Sequence, residues 1–184
     1  MYIGHIYLTE SMNGPCETFV SLIEALDRQG LRQHVLVRNE LLARRVAVYE
    51  SVALGPNVKT PVMAFCLMPN VQVVHIHCGS GASAGLLLTL TRSIPYVLTC
   101  REDFAATNNS LKQSIINRAA GLIVADKRNA ENYSRANNRV PVDIIANARY
   151  RNAVDAHANN RIAADHLKIY RRAVDTSRVP AFLL

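Results

Sequence analysis

Short apolar runs of β type alternate with helix-type segments from one end of this chain to the other. That order is met by a parallel sheet with helices on both faces. The strongest run is Val71–His77, where Val71, Val73, Val74 and Ile76 are nearly continuous. Such a run suits a central strand covered on both sides. Gly79-Ser80-Gly81 breaks it, and Ala82–Arg92 reads as a helix. Upstream, Ile3–Leu8 is a first strand and Thr9–Pro15 a turn. Gly14 can cap the next helix with Pro15 as its first residue, where a missing N–H costs nothing. Phe19, Ile23, Leu26 and Gly30 recur there at helical spacing, and Gly30 closes the segment. Val35–Val37 is a second strand, Glu40–Val46 a short helix and Val48–Leu54 a third strand, with Pro56 and Pro61 punctuating a loop.

Downstream, Tyr96–Thr99, Leu122–Ala125 and Val142–Ile145 are strands, separated by helices over Ser110–Ala120 and Asp126–Arg135. A polar stretch, Asn152–Asn160, precedes a last helix over about Ile162–Val174. The expectation is one Rossmann-like α/β domain with a parallel sheet of about seven strands. At 184 residues, one domain buries about 70% of its unfolded surface and requires no metal or disulfide staple. Tryptophan is absent and aromatics are 6%, so the core should be filled by aliphatic residues.

The net charge is +7. An excess of that size draws anions such as nucleic acid, acidic headgroups or phosphorylated sugars. The basic residues are scattered, with pairs only at Arg44-Arg45 and Arg171-Arg172. No run has the density of a nucleic-acid tail, so nucleic acid is not expected. Cys16, Cys66, Cys78 and Cys100 form no C-x-x-C pair. They read as reduced, buried thiols of a cytoplasmic protein, without a metal site. The first residues show no basic region followed by a long apolar run. Ala82–Cys100 is interrupted by Arg92 and Pro95, so it falls short of a membrane span.

Ligands of doubly wound sheets bind beyond the carboxyl ends of the strands. Three loops should meet there. Asn13-Gly14-Pro15 opens a helix whose free N–H groups favour an anion. Cys78-Gly79-Ser80-Gly81 is a second small-residue turn, without the Lys-Ser/Thr of a P-loop. Arg101-Glu102-Asp103 follows a strand and could pair internally or hold a charged ligand. Lys127 and Arg128 could add positive potential to the same edge. His77 ends its strand, where a side chain can face the cleft, and His75 lies on the same face but deeper. The full G-x-G-x-x-G dinucleotide fingerprint and the G-x-S-x-G elbow are both missing.

Five segments, in order, resemble the N-terminal, acceptor-side domain of family 4 glycosyltransferases of the GT-B type. Asn13-Gly14 and Glu17 are similar to the family's glycine-rich turn and helix. Val73-Val74-His75-Ile76-His77 resembles its D-V-V-H-x-H strand, and Ile94-Pro95-Tyr96-Val97-Leu98-Thr99 its I-P-x-V-x-T strand. Arg118–Ala125 resembles R-x-A-D-x-I-I-A, and Ile144-Ile145-Ala146-Asn147 resembles V-I-P-N-G. The chain departs from the pattern at Cys100-Arg101-Glu102, where the family has a histidine. It departs again at Asp126 and at Ala148.

His166-Leu167-Lys168-Ile169-Tyr170 resembles the family's final H-x-x-x-Y helix, which packs back on the N-terminal domain. The resemblance therefore implies residues 1–151 as the acceptor-type domain and 152–184 as a polar connection plus returning helix. The C-terminal donor domain would be missing between Arg151 and Ile162. It implies His77 as the catalytic candidate and Asn13, Gly14, Gly79, Ser80, Gly81, Arg101, Glu102 and Asn147 as acceptor- or anion-binding candidates. It implies no tightly bound cofactor, a nucleotide-sugar donor being supplied with a partner domain. The expected role is in polysaccharide or lipopolysaccharide biosynthesis at the inner face of the membrane, on a saccharide or glycolipid acceptor. The partner would be a donor-domain subunit or a second copy. The alternative is a non-catalytic GT-B-derived binding or scaffolding module.

Overall fold

In the computed structural model, which describes residues 1–10, 14–100, 110–136, 139–145 and 156–177, seven strands form one sheet. They are β1 (Tyr2–Tyr7), β2 (Arg32–Val37), β3 (Val52–Leu54), β4 (Val73–Ile76), β5 (Tyr96–Thr99), β6 (Gly121–Val124) and β7 (Val142–Ile144). Every pairing is parallel and the order is β3-β2-β1-β4-β5-β6-β7. The order reverses between β1 and β4, the switch point where a crevice opens beyond the carboxyl ends of the strands. This is the single Rossmann-like α/β domain expected from the alternation of elements.

The described helices are α1 (Gly14–Asp27), α2 (Glu40–Val46), α3 (Pro61–Leu67), α4 (Ala82–Arg92), α5 (Ser110–Arg118), α6 (Lys127–Ala136) and α7 (Ala156–Ser177). Parallel strands need crossovers, and these helices supply them on both faces. One face carries α3, α4, α5 and α6. Their Ala64, Leu88, Ile116 and Tyr133 share a core with Ile6, Val74, Ile76, Leu98 and Val124. The other carries α1, α2 and α7, packed on Ile3, Val73, Val97 and Ile123 or on Tyr7, Val35 and Val37. Alternate residues of each strand thus feed opposite cores. α7 packs back across the sheet, burying Ala163, Leu167, Tyr170 and Ala173.

Several expectations are corrected. An unexpected helix, Pro61–Leu67, follows the loop punctuated by Pro56 and Pro61; Pro61 stands in its first turn and Thr60 Oγ1 accepts from the Met63 N–H. All seven of its residues are apolar or small, so no periodicity announces it. The third strand shrinks to Val52–Leu54, and Val48 is exposed. The last helix begins at Ala156, inside the stretch read as a polar connection. Gly30 stands three residues past α1, at φ +67 in the left-handed region that glycine adopts without a Cβ penalty.

The core is mostly aliphatic, but its largest fully buried side chains are Tyr7, Tyr96, Tyr133 and Tyr170. Among the described aromatics, Tyr7, Phe19, Tyr96, Tyr133 and Tyr170 are buried. The Tyr96 hydroxyl donates to the Ile115 carbonyl, which satisfies the polar tip that burial requires. All four cysteines are free; Cys16, Cys78 and Cys100 are buried as expected, whereas Cys66 is exposed. Among the described residues no helix is long and apolar enough to cross a membrane.

Candidate functional site

The parallel register sets His5 of β1 directly opposite His75 of β4. His77 follows two residues later on the same face, as the period of a strand dictates. The three imidazoles cluster at the switch point. The His75 and His77 rings are 3.7 Å apart and those of His5 and His77 5.4 Å, centre to centre. The edge of His77 meets Phe19 of α1 at 4.7 Å between centroids.

Each contact in this cluster is specific. His5 Nδ1 and His77 Nε2 are 3.1 Å apart. One nitrogen must donate and the other accept, so the proton positions of the two rings are complementary. His75 uses both nitrogens: Nδ1 lies 2.6 Å from the Tyr170 hydroxyl of α7, and Nε2 lies 2.7 Å from Thr99 Oγ1 at the end of β5. His166, one turn before Tyr170, donates from Nδ1 to the Ile162 carbonyl at 2.8 Å. His5 Nε2 is buried and unpaired among the described residues.

Burial decides the charge state. Desolvation, aided by the nearby His166, holds His5 down at about 3. Desolvation carries His166 down to about 4, opposed by its bond to Ile162 and by Asp165. His75 is pushed well below the usual histidine range, by burial first and by His77, His166 and His5 next. Burial drives Tyr170 in the opposite direction, far above the ordinary phenol. Hydrogen-bonded and neutral, His5, His75 and His166 form part of a proton-sharing network rather than a cluster of cations.

His5, His75 and His77 bring candidate metal-ligand nitrogens within 4.8 Å of one another. Sequence spacing hides this, because the pairing across β1 and β4 creates it. His75, however, has both nitrogens committed to hydroxyls. Its ring is also layered on His77, whereas ligands converging on one ion point their in-plane lone pairs at it. The arrangement fits a hydrogen-bonded relay better than a cation nest.

Beside the cluster opens a pocket of about 50 Å³. Pro15, Thr18, Phe19 and Leu22 of α1 form one wall, and Ile162 and His166 of α7 the opposite one. Its floor is made by His77 and by the carboxyl ends of β5, β6 and β7, with Thr99, Cys100, Ala125 and Ile145. His77 is only 6% exposed. No described lining residue carries a formal charge other than a histidine that could gain one. About 50 Å³ has room for a few water molecules or for one hydroxyl-bearing edge of a sugar ring.

Of the residues singled out from sequence, His77 lines this pocket. Gly14 is the exposed first residue of α1, one position before the lining Pro15. Gly79, Ser80 and Gly81 form a 3-10 turn that leads into α4 on the other face. Ser80 Oγ bonds Cys78 Sγ at 3.1 Å, and a Cβ on Gly81 would stand 3.0 Å from Ile6 Cγ2. Gly81 is buried, Gly79 and Ser80 are exposed, and none of the three is among the described lining residues of the pocket. Lys127 and Arg128 open α6 and do not line it. Asn13, Arg101, Glu102, Asp103, Asn147 and Ala148 lie outside the described residues.

Sequence reasoning missed Thr99 and His166 as pocket residues. The i, i+4 spacing of His166 and Tyr170 puts both on one helix face, but not the strand that face meets. Replacing Tyr170 by phenylalanine removes one bond and leaves His75 Nδ1 unpaired. We expect a stability loss of about 1 kcal/mol, read from urea denaturation. An unchanged midpoint would show that the hydroxyl contributes nothing.

No protein-family model matches the chain, and no curated protein matches it in sequence. Solved structures do share its fold. The chain is similar to the Anabaena protein Alr3699/HepE. Against the HepE complex with UDP and glucose the TM-score is 0.60 at 12% identity, covering 80% of this chain. Against the complex with UDP-glucose it is 0.60 at 13%, and against that with UDP alone 0.55 at 13%. In each case the match spans 44% of the HepE chain. Likeness at this identity establishes the Rossmann-like α/β fold.

Proposed function

We propose that this chain is a glycosyltransferase-like acceptor-side domain of the GT-B type, acting in polysaccharide or glycoconjugate biosynthesis beside a donor-binding domain carried elsewhere. The observation that carries this reading is the pocket at the carboxyl edge of the sheet, whose described lining is uncharged, with His77 in its floor. Its size suits a sugar hydroxyl, and its walls offer Thr18, Thr99, His77 and His166 for hydrogen bonds. A neutral imidazole at that place can accept the proton of an attacking hydroxyl. His5, sharing a hydrogen bond with His77 Nε2, couples the tautomer of His77 to its own. The fold shared with a protein crystallised with UDP-glucose supports sugar chemistry, and the chain's 44% share of that protein's length supports a donor site outside it.

The uncharged lining also favours a second reading, a non-catalytic binding or scaffolding module derived from the same fold. The two separate by experiment. Saturation-transfer NMR with glucose disaccharides and with UDP-glucose should show the disaccharides bound by the chain alone. His77→Ala should weaken that binding at least about tenfold, the loss of one buried hydrogen-bond partner. Submillimolar UDP-glucose binding with no disaccharide binding would overturn the acceptor-side assignment. Affinity purification from the native host then decides between the readings. Recovery of a nucleotide-sugar-binding Rossmann protein supports the split transferase, and recovery of other complex members without one supports the scaffold.

A further inference from the structure

The described lining of the pocket is uncharged, yet it has a hydrogen-bond polarity, and buried partners set it. Tyr170 is fully buried, and its hydroxyl meets one polar atom among the described residues, His75 Nδ1 at 2.6 Å. Were the phenol to accept there, its own proton would be buried without an acceptor, which native interiors avoid. The Tyr170 hydroxyl therefore donates, and Nδ1 is the bare nitrogen of His75. His75 is neutral, so Nε2 carries the ring proton and donates to Thr99 Oγ1 at 2.7 Å. The oxygen of Thr99 accepts, which leaves its own hydroxyl proton available to the pocket that Thr99 lines.

The α7 wall has the reverse polarity. His166 Nδ1 lies 2.8 Å from the Ile162 carbonyl, which can only accept, so Nδ1 holds the proton. The ring is neutral, and Nε2 is bare. No described residue donates to that nitrogen, although His166 is only 5% exposed and lines the pocket. Thr18 and Cys100 add little to this pair. Thr18 Oγ1 donates to the Gly14 carbonyl of its own helix at 3.3 Å, and the Cys100 thiol faces the Leu98 carbonyl at 3.9 Å. Phe19, Leu22, Val124, Ile145 and Ile162 supply hydrocarbon.

A donor in the floor and an acceptor in the wall, set among hydrocarbon, complement a secondary amide. Its carbonyl accepts, its N–H donates and its methyl seeks an apolar surface. A lone hydroxyl could also bridge the two groups, but it would leave the apolar walls against a polar edge. The volume, about 50 Å³, suits a group of a few heavy atoms. We propose that the pocket selects acceptor sugars carrying an acetamido group, with the carbonyl on the Thr99 hydroxyl, the N–H on His166 Nε2 and the methyl against Phe19, Leu22 and Ile162. Thr99 and His166 are then specificity-determining residues, and His75 and Tyr170 are positioning residues that orient the Thr99 proton. The proposal rests on the acceptor-side reading and narrows its substrate to N-acetylated amino sugars.

The test is isothermal titration of the full chain with N,N′-diacetylchitobiose and with cellobiose, which carries a hydroxyl wherever the first sugar carries an acetamido group. The wild type should bind the acetylated disaccharide at least about tenfold more tightly, as two further paired groups imply. Thr99→Val keeps the side-chain shape and removes the donor, so the two affinities should approach each other, whereas Thr99→Ser should retain the preference. Tyr170→Phe changes no pocket wall but frees His75 to take either tautomer, and the preference should fall about twofold as the competent fraction halves. Circular dichroism checks the fold of each variant. An unchanged preference in Thr99→Val or in Tyr170→Phe overturns the proposal. Equal binding of the two sugars by the wild type overturns it and leaves the acceptor-side reading standing, whereas binding of neither removes both. Binding of N-acetylglycine methylamide as tight as that of the acetylated sugar also overturns it, and assigns the pocket to acetylated peptides.

Discussion

Lowering the pH from 7.5 to 5 should cost the folded chain about 4 kcal/mol of stability through His5 and His166 alone. His5 is held at about 3 and His166 at about 4 in the fold, against about 6.5 when unfolded. A histidine with a depressed folded value contributes its full stability above the unfolded value. The contribution is lost as pH falls through 6.5, and the loss saturates only at the folded value. At pH 5 each group lies about 1.5 units below its unfolded value, which is about 2 kcal/mol per group. His75 acts in the same direction. Ordinary carboxylates change little in this window, so the effect isolates the histidines. Urea denaturation at the two pH values measures it, and unfolding should take up about two or more protons per chain at pH 5. Equal stability at pH 7.5 and 5 would mean that the cluster is hydrated or already open in solution.

The second large effect is steric. Gly85 lies in the middle of α4, where any other residue would normally favour the helix. A Cβ there would stand 2.7 Å from Tyr96 Cγ and closer still to Ile76 Cδ1. The Ile76 methyl could turn aside, but the buried Tyr96 ring cannot, because it is tied through its hydroxyl to Ile115. Helix α4 touches the sheet at this point because the side chain is missing. Gly85→Val should therefore destabilise by about 3 kcal/mol, the upper range of overpacking, lowering the melting temperature by about 9 °C. Thr91→Val, exposed on the same helix, should stay within about 0.5 kcal/mol. Similar melting temperatures for the two variants would show that α4 can lift off the sheet at little cost.

Both effects begin in features that the sequence displays only in part. The strand–helix alternation announced the fold, since a parallel sheet writes its buried strands as apolar runs such as Val71–Ile76. Element ends were read to within a few residues, because Gly30, Pro15 and Ser110 mark them chemically. α3 escaped notice because a seven-residue helix with no polar face has no period to detect. At the site, the position of His77 at a strand end was legible, since strand ends of this fold face the crevice.

Local pattern thus determined the class of fold, the order of its elements and one residue at the edge where ligands bind. Tertiary pairing decided the rest. Parallel register set His5 against His75, though 70 residues separate them. The returning α7 brought Tyr170 onto His75 from 95 residues along the chain, and His166 with it. Those partners are fixed by which strands are neighbours and which helix covers them, and no spacing along the chain carries that information. The depressed proton affinities follow for the same reason: desolvation belongs to the packed environment and not to the residue.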